Sequence, residues 1–236
     1  MNDTLYIVMP AYNEVDNISA VVEQWCPIVE KIGNGSKLVI FNDGSKDNTF
    51  EKMQELAKEY PCFIAETKTN SGHGSTCLYA YRYAIEHNAD FVFQTDSDGQ
   101  TNPDEFWQFW EQRNAYDFLI GKRISRQDGF SRVVVTSVLR LVVWICLKAW
   151  LKDANTPFRL MKKEYLKEYL EIIPENFFLS NVAISAIAKR KKQSIFWGPI
   201  TFKPRQAGVN SINLKRIIKI GFKALKDFRT INKQLI

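Results

Sequence analysis

Histidine is nearly absent. The 236-residue chain holds two, which excludes a His-rich metal centre. The four cysteines, Cys26, Cys62, Cys77 and Cys146, form no CxxC pair, so neither a zinc ribbon nor a dithiol redox motif can be written. Cys62 and Cys146 fall in apolar runs and read as small buried hydrophobes. No Walker A or G-x-G-x-x-G pattern occurs, which leaves nucleotide hydrolysis and dinucleotide binding unsupported. Internal repeats, low-complexity tracts and linkers are missing as well. Met1-Asn2-Asp3-Thr4 opens no basic-then-apolar leader, so no secretory signal and a reducing, cytosolic setting are expected. Also missing is an uncharged run long enough to span a bilayer. Val133–Leu151 comes nearest, but Arg140 sits near its middle and Lys148 near its end. A charge at the bilayer centre costs about 2.5–3.5 kcal/mol. That run is expected to be a buried or surface-lying helix.

What remains is an ordinary globular composition, 45% hydrophobic and 25% charged. Lys and Arg number 32 against 26 Asp and Glu, a net charge of +6. A nucleic-acid binder would carry that excess as a basic stripe. Here the loops that matter most are acidic, so nucleic acid is not an expected partner.

The first half alternates between short apolar runs and helical spacing. Strands are expected at Leu5–Met9, Lys37–Phe41, Cys62–Ala65 and Phe91–Gln94. Helices are expected at Val15–Ile32, Asn48–Tyr60 and Ser75–Glu86. This is the pattern of βαβ units and a parallel sheet covered on both faces. Right-handed crossovers then bring the loops after the strands to one edge, where ligands bind in such sheets. Three of those loops carry carboxylates: Pro10–Glu14, Asn42–Asp47 and Asp96–Gln100. A later strand, Asp117–Gly121, leads to Arg123 at the same kind of position.

Asp96-Ser97-Asp98 sets two carboxylates at i and i+2 just past a buried strand, with Gln100 adding a neutral oxygen. Hard oxygens in that grouping suit Mg²⁺ or Mn²⁺, above all where phosphate completes the shell. Tyr12 offers a ring to stack on a base, and Glu14 and Asp43 can accept hydrogen bonds from a base or ribose. Asn13, Ser45 and Asp47 are read as helix caps instead. Asn70–Ser75 (NSGHGS) reads either as a phosphate-cradling loop opening a helix or as a glycine turn required by backbone geometry. Arginines accumulate later: Arg123, Arg126, Arg132, Arg140, Arg159 and Arg205. Guanidinium forks suit phosphate, although some of these are plain surface charge. From Asn213 to Ile236, apolar residues recur at helical spacing among Lys and Arg. This describes either a basic helix lying on an anionic bilayer or the basic outer face of a helix packed on the domain.

IVMPAYNE (Ile7–Glu14), VIFNDGSKDNT (Val39–Thr49), NSGHGS (Asn70–Ser75), FVFQTDSDGQTNP (Phe91–Pro103) and GKRISRQD (Gly121–Asp128) occur in that order. DANTPFRLM (Asp153–Met161) and GPITFKPRQAGVNS (Gly198–Ser211) follow. Together they resemble family 2 glycosyltransferases of the GT-A fold, and most of all the enzymes that make dolichyl- or polyprenyl-phosphate sugars. The resemblance implies an α/β GT-A domain over residues 1–212, a mainly parallel mixed sheet flanked by helices. A basic amphipathic helix over 213–236 would extend it.

It implies an inverting, metal-dependent transfer from a UDP- or GDP-sugar to a lipid phosphate, peripheral at the inner membrane face. Pro10, Tyr12, Glu14 and Asp43 would hold the nucleoside, and Ser97 joins that nucleotide-binding set. Arg205 would lie in a loop closing on the diphosphate. Asp96, Asp98 and Gln100 would hold Mg²⁺ or Mn²⁺. Asp98, Arg123 and Arg132 are expected at the reacting centre, the two arginines near the acceptor phosphate, with Ser137 close by. Two readings remain beside it. A saccharide hydroxyl acceptor would need a general base, for which the segment Pro174–Asn181 supplies only Glu175. A non-catalytic nucleotide-sugar binder would have no physical need for clustered carboxylates.

Overall fold

The computed structural model describes residues 3–124, 141–151, 153, 155–203 and 225–235. The strands are β1 (Leu5–Ala11), β2 (Lys37–Asn42), β3 (Phe63–Thr67), β4 (Phe91–Thr95), β5 (Phe118–Arg123), β6 (Phe158–Lys162) and β7 (Ile195–Ile200). The helices in the first half are α1 (Val15–Ile32), α2 (Thr49–Glu59), α3 (His73–Glu86) and α4 (Phe106–Gln112). They are followed by α5 (141–147), α6 (Lys163–Ile172), α7 (Ser180–Arg190) and α8 (225–234).

The strands form one seven-stranded sheet in the order β3-β2-β1-β4-β6-β5-β7. Pairing is parallel except where β6 runs against both β4 and β5. The mainly parallel mixed sheet expected from the sequence is present. Alternation of side chains along the strands divides the core in two. Leu5, Ile7 and Met9 face α1, α2 and α4, where Trp25, Met53, Phe106 and Phe109 are buried. Tyr6 and Val8 face the other layer, built from α3, α5, α6, α7 and α8.

In the second half one expectation changes and one alternative is decided. The apolar run is not one helix as far as Leu151. Helix α5 ends at residue 147, and Lys148 turns out of it with φ 53°. Residues 133–140 lie outside the described residues. Among the described residues no helix is long and apolar enough to cross a membrane. At the C-terminus, 213–224 likewise lie outside, while α8 buries Phe228 and Ile231 in the same core as α5 and α7. For this part of the chain the packed-helix reading holds. Lys226, Arg229 and Lys233 form its exposed face.

The sheet changes direction between β1 and β4. β1 pairs with β2 from Tyr6 to Ala11 but with β4 only from Leu5 to Val8. Pro10 lies past the last β4 partner and has no N–H to offer it. The two strands therefore part at their C-terminal ends, and a crevice opens at a topological switch point.

One close approach fixes the side of this crevice. A Cβ on Gly74, in the first turn of α3, would lie 2.3 Å from the Phe178 carbonyl oxygen and 2.6 Å from its Cα. The contact is backbone to backbone, so no side chain can yield. Gly74→Ala should destabilise the protein by about 2 kcal/mol through overpacking. Thermal melting checks this, and an unchanged melting temperature would contradict the close packing of α3 on the 174–179 segment.

Candidate functional site

The crevice holds a cavity of 460 Å³ lined by Pro10, Ala11, Tyr12, Glu14, Asp43, Asn70, Gly72, His73, Asp96, Ser97 and Asp98. Four of these are carboxylates, supplied by the loops after β1, β2 and β4. The ends of the strands converge through direct bonds. The Ser97 hydroxyl donates to the Pro10 carbonyl at 2.8 Å, tying the two parted strand ends together at a fixed spacing. The Asp43 N–H donates to the Ala11 carbonyl at 2.8 Å. Tyr12 is 42% exposed, its ring open to a ligand in the cavity. Glu14 is buried and accepts from the Asn17 amide at 2.6 Å.

Asp43 is the most enclosed of the four, and it is heavily partnered. Lys68 Nζ lies 2.6 Å from Oδ1, and the Ser71 and Gly72 N–H groups donate to the carboxylate at 2.9 and 2.8 Å. Burial alone would raise its pKa. Lys68, the two backbone donors and the Thr76 hydroxyl outweigh that effect and hold the carboxyl below its usual value. The loop amides of Ser71 and Gly72 are thus occupied by the protein's own anion rather than free for a phosphate. Gly72, at φ 88°, supplies the backbone turn that aims them. Of the two readings of NSGHGS, the glycine turn accounts for the geometry.

Asp96 is held from two sides through one oxygen. His73 Nε2 lies 2.9 Å from Oδ1, and Gln94 Nε2 donates to the same atom at 3.1 Å. The neighbouring Cys77 and the Asp96 carboxylate raise the His73 pKa well above the ordinary imidazole value. Behind Gln94 lies a buried chain. Asn181 Nδ2 donates to Gln94 Oε1 at 2.9 Å, and the Tyr81 hydroxyl donates to Asn181 Oδ1 at 2.8 Å. Arg159 closes it, donating to the Asn181 carbonyl at 2.9 Å and to the Ser185 hydroxyl at 3.2 Å.

The remaining expected residues divide. Pro10, Tyr12, Glu14, Asp43, Asp96, Ser97 and Asp98 share the cavity. Ser97 does so with its hydroxyl turned to Pro10. Gln100 is not on the cavity wall. Its amide nitrogen donates to the Lys203 carbonyl at 2.8 Å, and its backbone N–H donates to Asp98 Oδ1 at 3.2 Å. Arg123 stands at the end of β5, forked onto Asp153 through Nε and Nη2, both at 2.9 Å. Arg126, Arg132, Ser137, Arg140 and Arg205 lie outside the described residues.

Three sequence readings need correction. Arg159 is neither a phosphate arginine nor surface charge. It is fully buried, and its guanidinium is spent on the Thr156 and Asn181 carbonyls and Ser185. Asn13 and Ser45 cap no helix. The Asn13 N–H donates to Ser45 Oγ at 3.0 Å and the Lys46 N–H to Asn13 Oδ1 at 2.8 Å, stapling the first loop to the second. Asp47 does act at a helix start, accepting from the Thr49 N–H at 3.1 Å.

Several residues of the site went unread. Lys68 follows β3, so the strand-end rule could have found it, since the same edge that gathers carboxylates needs a cation. Gln94 alternates correctly for a core position and gave no signal of its own. Asn181 sits 87 residues from its partner Gln94, beyond any local pattern.

Asp96 and Asp98 offer hard carboxylate oxygens on one wall, the donor chemistry that Mg²⁺ and Mn²⁺ accept. Among the described residues there is no group of three or more His, Cys, Asp or Glu placed to hold a metal. Such an ion would complete its shell with water and ligand phosphate, as Mg²⁺ commonly does.

The chain is 25% identical to the UDP-N-acetylglucosamine–dolichyl-phosphate N-acetylglucosaminyltransferase of Methanococcus voltae, over 83% of this chain and 84% of that protein. It is 25% identical to the dolichol-phosphate mannosyltransferase of Pyrococcus furiosus, over 90% of this chain and 60% of the relative. It is 26% identical to the undecaprenyl-phosphate 4-deoxy-4-formamido-L-arabinose transferase of Pectobacterium atrosepticum, over 75% and 54%. The chain thus spans little more than half the length of the last two. Among solved structures, glucosyl-3-phosphoglycerate synthase from Mycobacterium tuberculosis, with Mn²⁺, UDP-glucose and phosphoglyceric acid, superposes with a TM-score of 0.70. The superposition covers 98% of this chain and 80% of that one at 14% identity, a likeness of fold, and the fold is GT-A. The model of glycosyl transferase family 2 matches residues 6–170, and the chain belongs to that family of glycosyltransferases.

Proposed function

We propose that the chain moves a sugar from a nucleoside-diphosphate sugar to a polyprenyl phosphate, inverting the anomeric carbon, with Mg²⁺ or Mn²⁺ held at Asp96 and Asp98. One observation carries this reading. The two carboxylates share a single cavity with the open ring of Tyr12 and the buried Glu14, so a nucleoside and its diphosphate fit end to end along one crevice. The Mn²⁺ and UDP-glucose in the mycobacterial neighbour support the same class of donor.

The division of work follows from the environments. Tyr12 stacks on the base, and Glu14 accepts from base or ribose, with Pro10 and Ser97 forming the floor beneath. Asp43, already bound to Lys68 and two amides, shapes the pocket and presents what lone pairs remain. A divalent ion at Asp96 and Asp98 would neutralise the charge developing on the leaving diphosphate. Gln100 would act on it through the turn that it orders around Asp98. Arg205 would close on the diphosphate.

Proton balance separates the two kinds of acceptor. A sugar hydroxyl must lose a proton as it attacks and needs a general base. A phosphate acceptor is anionic at neutral pH and needs none. Glu175 is exposed, on a segment pinned by the Ser75 hydroxyl to the Glu175 carbonyl at 3.0 Å, and has no acidic companion in Pro174–Asn181. The names of the relatives, all lipid-phosphate sugar transferases, support the same choice. Arg123 and Arg132 would then receive the acceptor phosphate, Arg123 from its place at the end of β5 beside Asp153. Such a protein would work peripherally at the inner membrane face.

Transfer from a panel of labelled UDP- and GDP-sugars, with polyprenyl phosphate and a saccharide pool offered together, tests the proposal. Label should enter the organic phase. Label found only in saccharide would make Glu175 the base to examine, and binding without any turnover would return the chain to a sugar-nucleotide binder. Asp98→Ala should lower kcat by about a hundredfold or more, as expected when charge stabilisation at the leaving group is lost. More than about a tenth of the wild-type rate would take Asp98 out of the metal site. Arg123→Ala should raise the KM for the lipid phosphate about tenfold while leaving the donor KM unchanged. Equal effects on both would reduce Arg123 to a partner of Asp153, and melting curves recorded alongside separate either outcome from loss of folding.

A further inference from the structure

Seven large hydrophobic side chains stand exposed among the described residues, and four of them fall between residues 141 and 150. Leu141 is 50%, Trp144 47%, Ile145 50% and Trp150 61% exposed. Single exposed hydrophobes are ordinary, whereas a contiguous group marks an interaction surface. Helix α5 reads Leu-Val-Val-Trp-Ile-Cys-Leu, without one polar residue. Val143, Cys146 and Leu147 are buried against the core. Leu141, Trp144 and Ile145, at i, i+3 and i+4, make the opposite face equally apolar. A helix at a water boundary turns polar residues outward, so this one faces something other than water.

The surroundings say what that is. Arg190 Nη1 donates to the Leu147 carbonyl, at the end of α5, at 3.5 Å and also to Asn232 Oδ1 in α8, which sets the two helices side by side. α8 buries Phe228 and Ile231 and turns Lys226, Arg229 and Lys233 outward. Lys148 Nζ lies 5.7 Å from the Trp144 ring centroid. Indole rings with an apolar body and a polar N–H, rimmed by cations, match the headgroup region of an anionic bilayer. A second copy fits less well, because a two-fold contact would set this basic rim against itself.

We propose that α5 and the turn to Trp150 enter the headgroup region of an anionic bilayer, while the outer face of α8 lies along its surface. The apolar residues of α8 cannot insert, since they are in the core. Three residues after Trp150 comes Asp153, which Arg123 ties to the strand edge carrying the cavity. Docking here sets the mouth of the site beside the lipid. In purpose the inference rests on the lipid-phosphate reading, but its test uses no sugar.

The full chain is sedimented with vesicles of phosphatidylcholine alone or with a minority of phosphatidylglycerol, some carrying brominated acyl chains that quench tryptophan. Binding to the anionic vesicles, with quenching, is expected. Combined Trp144→Ser, Ile145→Ser and Trp150→Ser should weaken it about tenfold or more and remove the quenching. Combined Lys226→Ser, Arg229→Ser and Lys233→Ser should weaken binding to the anionic vesicles by a similar factor while quenching of the bound fraction persists. No binding to anionic vesicles, or binding indifferent to the apolar substitutions, overturns the proposal. So does light scattering that finds a dimer dissociated by those same substitutions. Transfer to detergent-dispersed polyprenyl phosphate without vesicle binding would sink this inference and leave the proposed function standing. Vesicle binding without transfer would do the reverse.

Discussion

The parting of β1 from β4 is the constraint on which the rest of the site depends. Up to Val8 the two strands share a ladder, and beyond it they do not. Pro10 makes re-pairing impossible from its side, and the antiparallel β6 occupies the far flank of β4. The chain ends left unpaired at this edge need other partners, since buried backbone groups seldom go without. They find them in side chains: Ser97 reaches the Pro10 carbonyl, Thr49 accepts from the Glu14 N–H at 2.9 Å, and Ser45 accepts from the Asn13 N–H. Residues that look like polar loop filler are thus what holds the crevice open at a fixed width.

Holding it open gathers four carboxylates, and like charges in one cavity repel. The structure answers each differently. Asp43 is neutralised by Lys68, itself anchored by the Ser71 hydroxyl at 2.5 Å and the Thr69 carbonyl at 2.8 Å. An ion pair so enclosed gains more from its hydrogen bonds than from bare Coulomb attraction, because desolvation offsets much of the latter. Asp96 has His73 on Oδ1 alone, at half-exposed range, which makes it the softer contact of the two. Glu14 is met by a neutral amide. Repulsion is therefore relieved by a full ion pair at Asp43 and only in part at Asp96, where one carboxylate oxygen carries both contacts.

Much of this was legible in the sequence, for a definable reason. Strands β1 to β4 and helices α1 to α3 alternate with clean periodicity, and the boundaries of α1 were read to the residue. Strand ends in a parallel sheet must share an edge, so Tyr12, Glu14, Asp43, Asp96 and Asp98 could be brought together without coordinates. The reading failed where one residue type serves two physical ends. An arginine near a strand looks the same whether it waits for a phosphate or, like Arg159, is buried against carbonyls. A short polar residue before a helix looks like a cap whether it caps or, like Asn13, staples one loop to another. The antiparallel β6 and the last strand β7 carry no alternation that separates them from loops, because both are set by tertiary pairing.

The Asp96–Gln94–Asn181 chain shows what such pairing does for chemistry. Gln94 occupies a central strand, Asn181 the first turn of α7, and Arg159 the strand between β4 and β5. Arg159 has no carboxylate hydrogen-bonded to it among the described residues, and burial lowers its pKa, yet its neighbours Tyr81, Cys77, Asp153 and Asp96 pull the other way. A buried guanidinium tolerates that environment when it is well hydrogen-bonded, and here it makes three bonds to carbonyls and one to a hydroxyl. Helix α7 follows the 174–179 segment, whose backbone rests against Gly74 in α3, and α3 in turn carries His73 back to Asp96. The wall bearing Asp96 is therefore a closed loop of contacts: strand, buried arginine, helix, segment, helix and strand again. A site built this way fixes one carboxylate oxygen through the packing of the whole second layer.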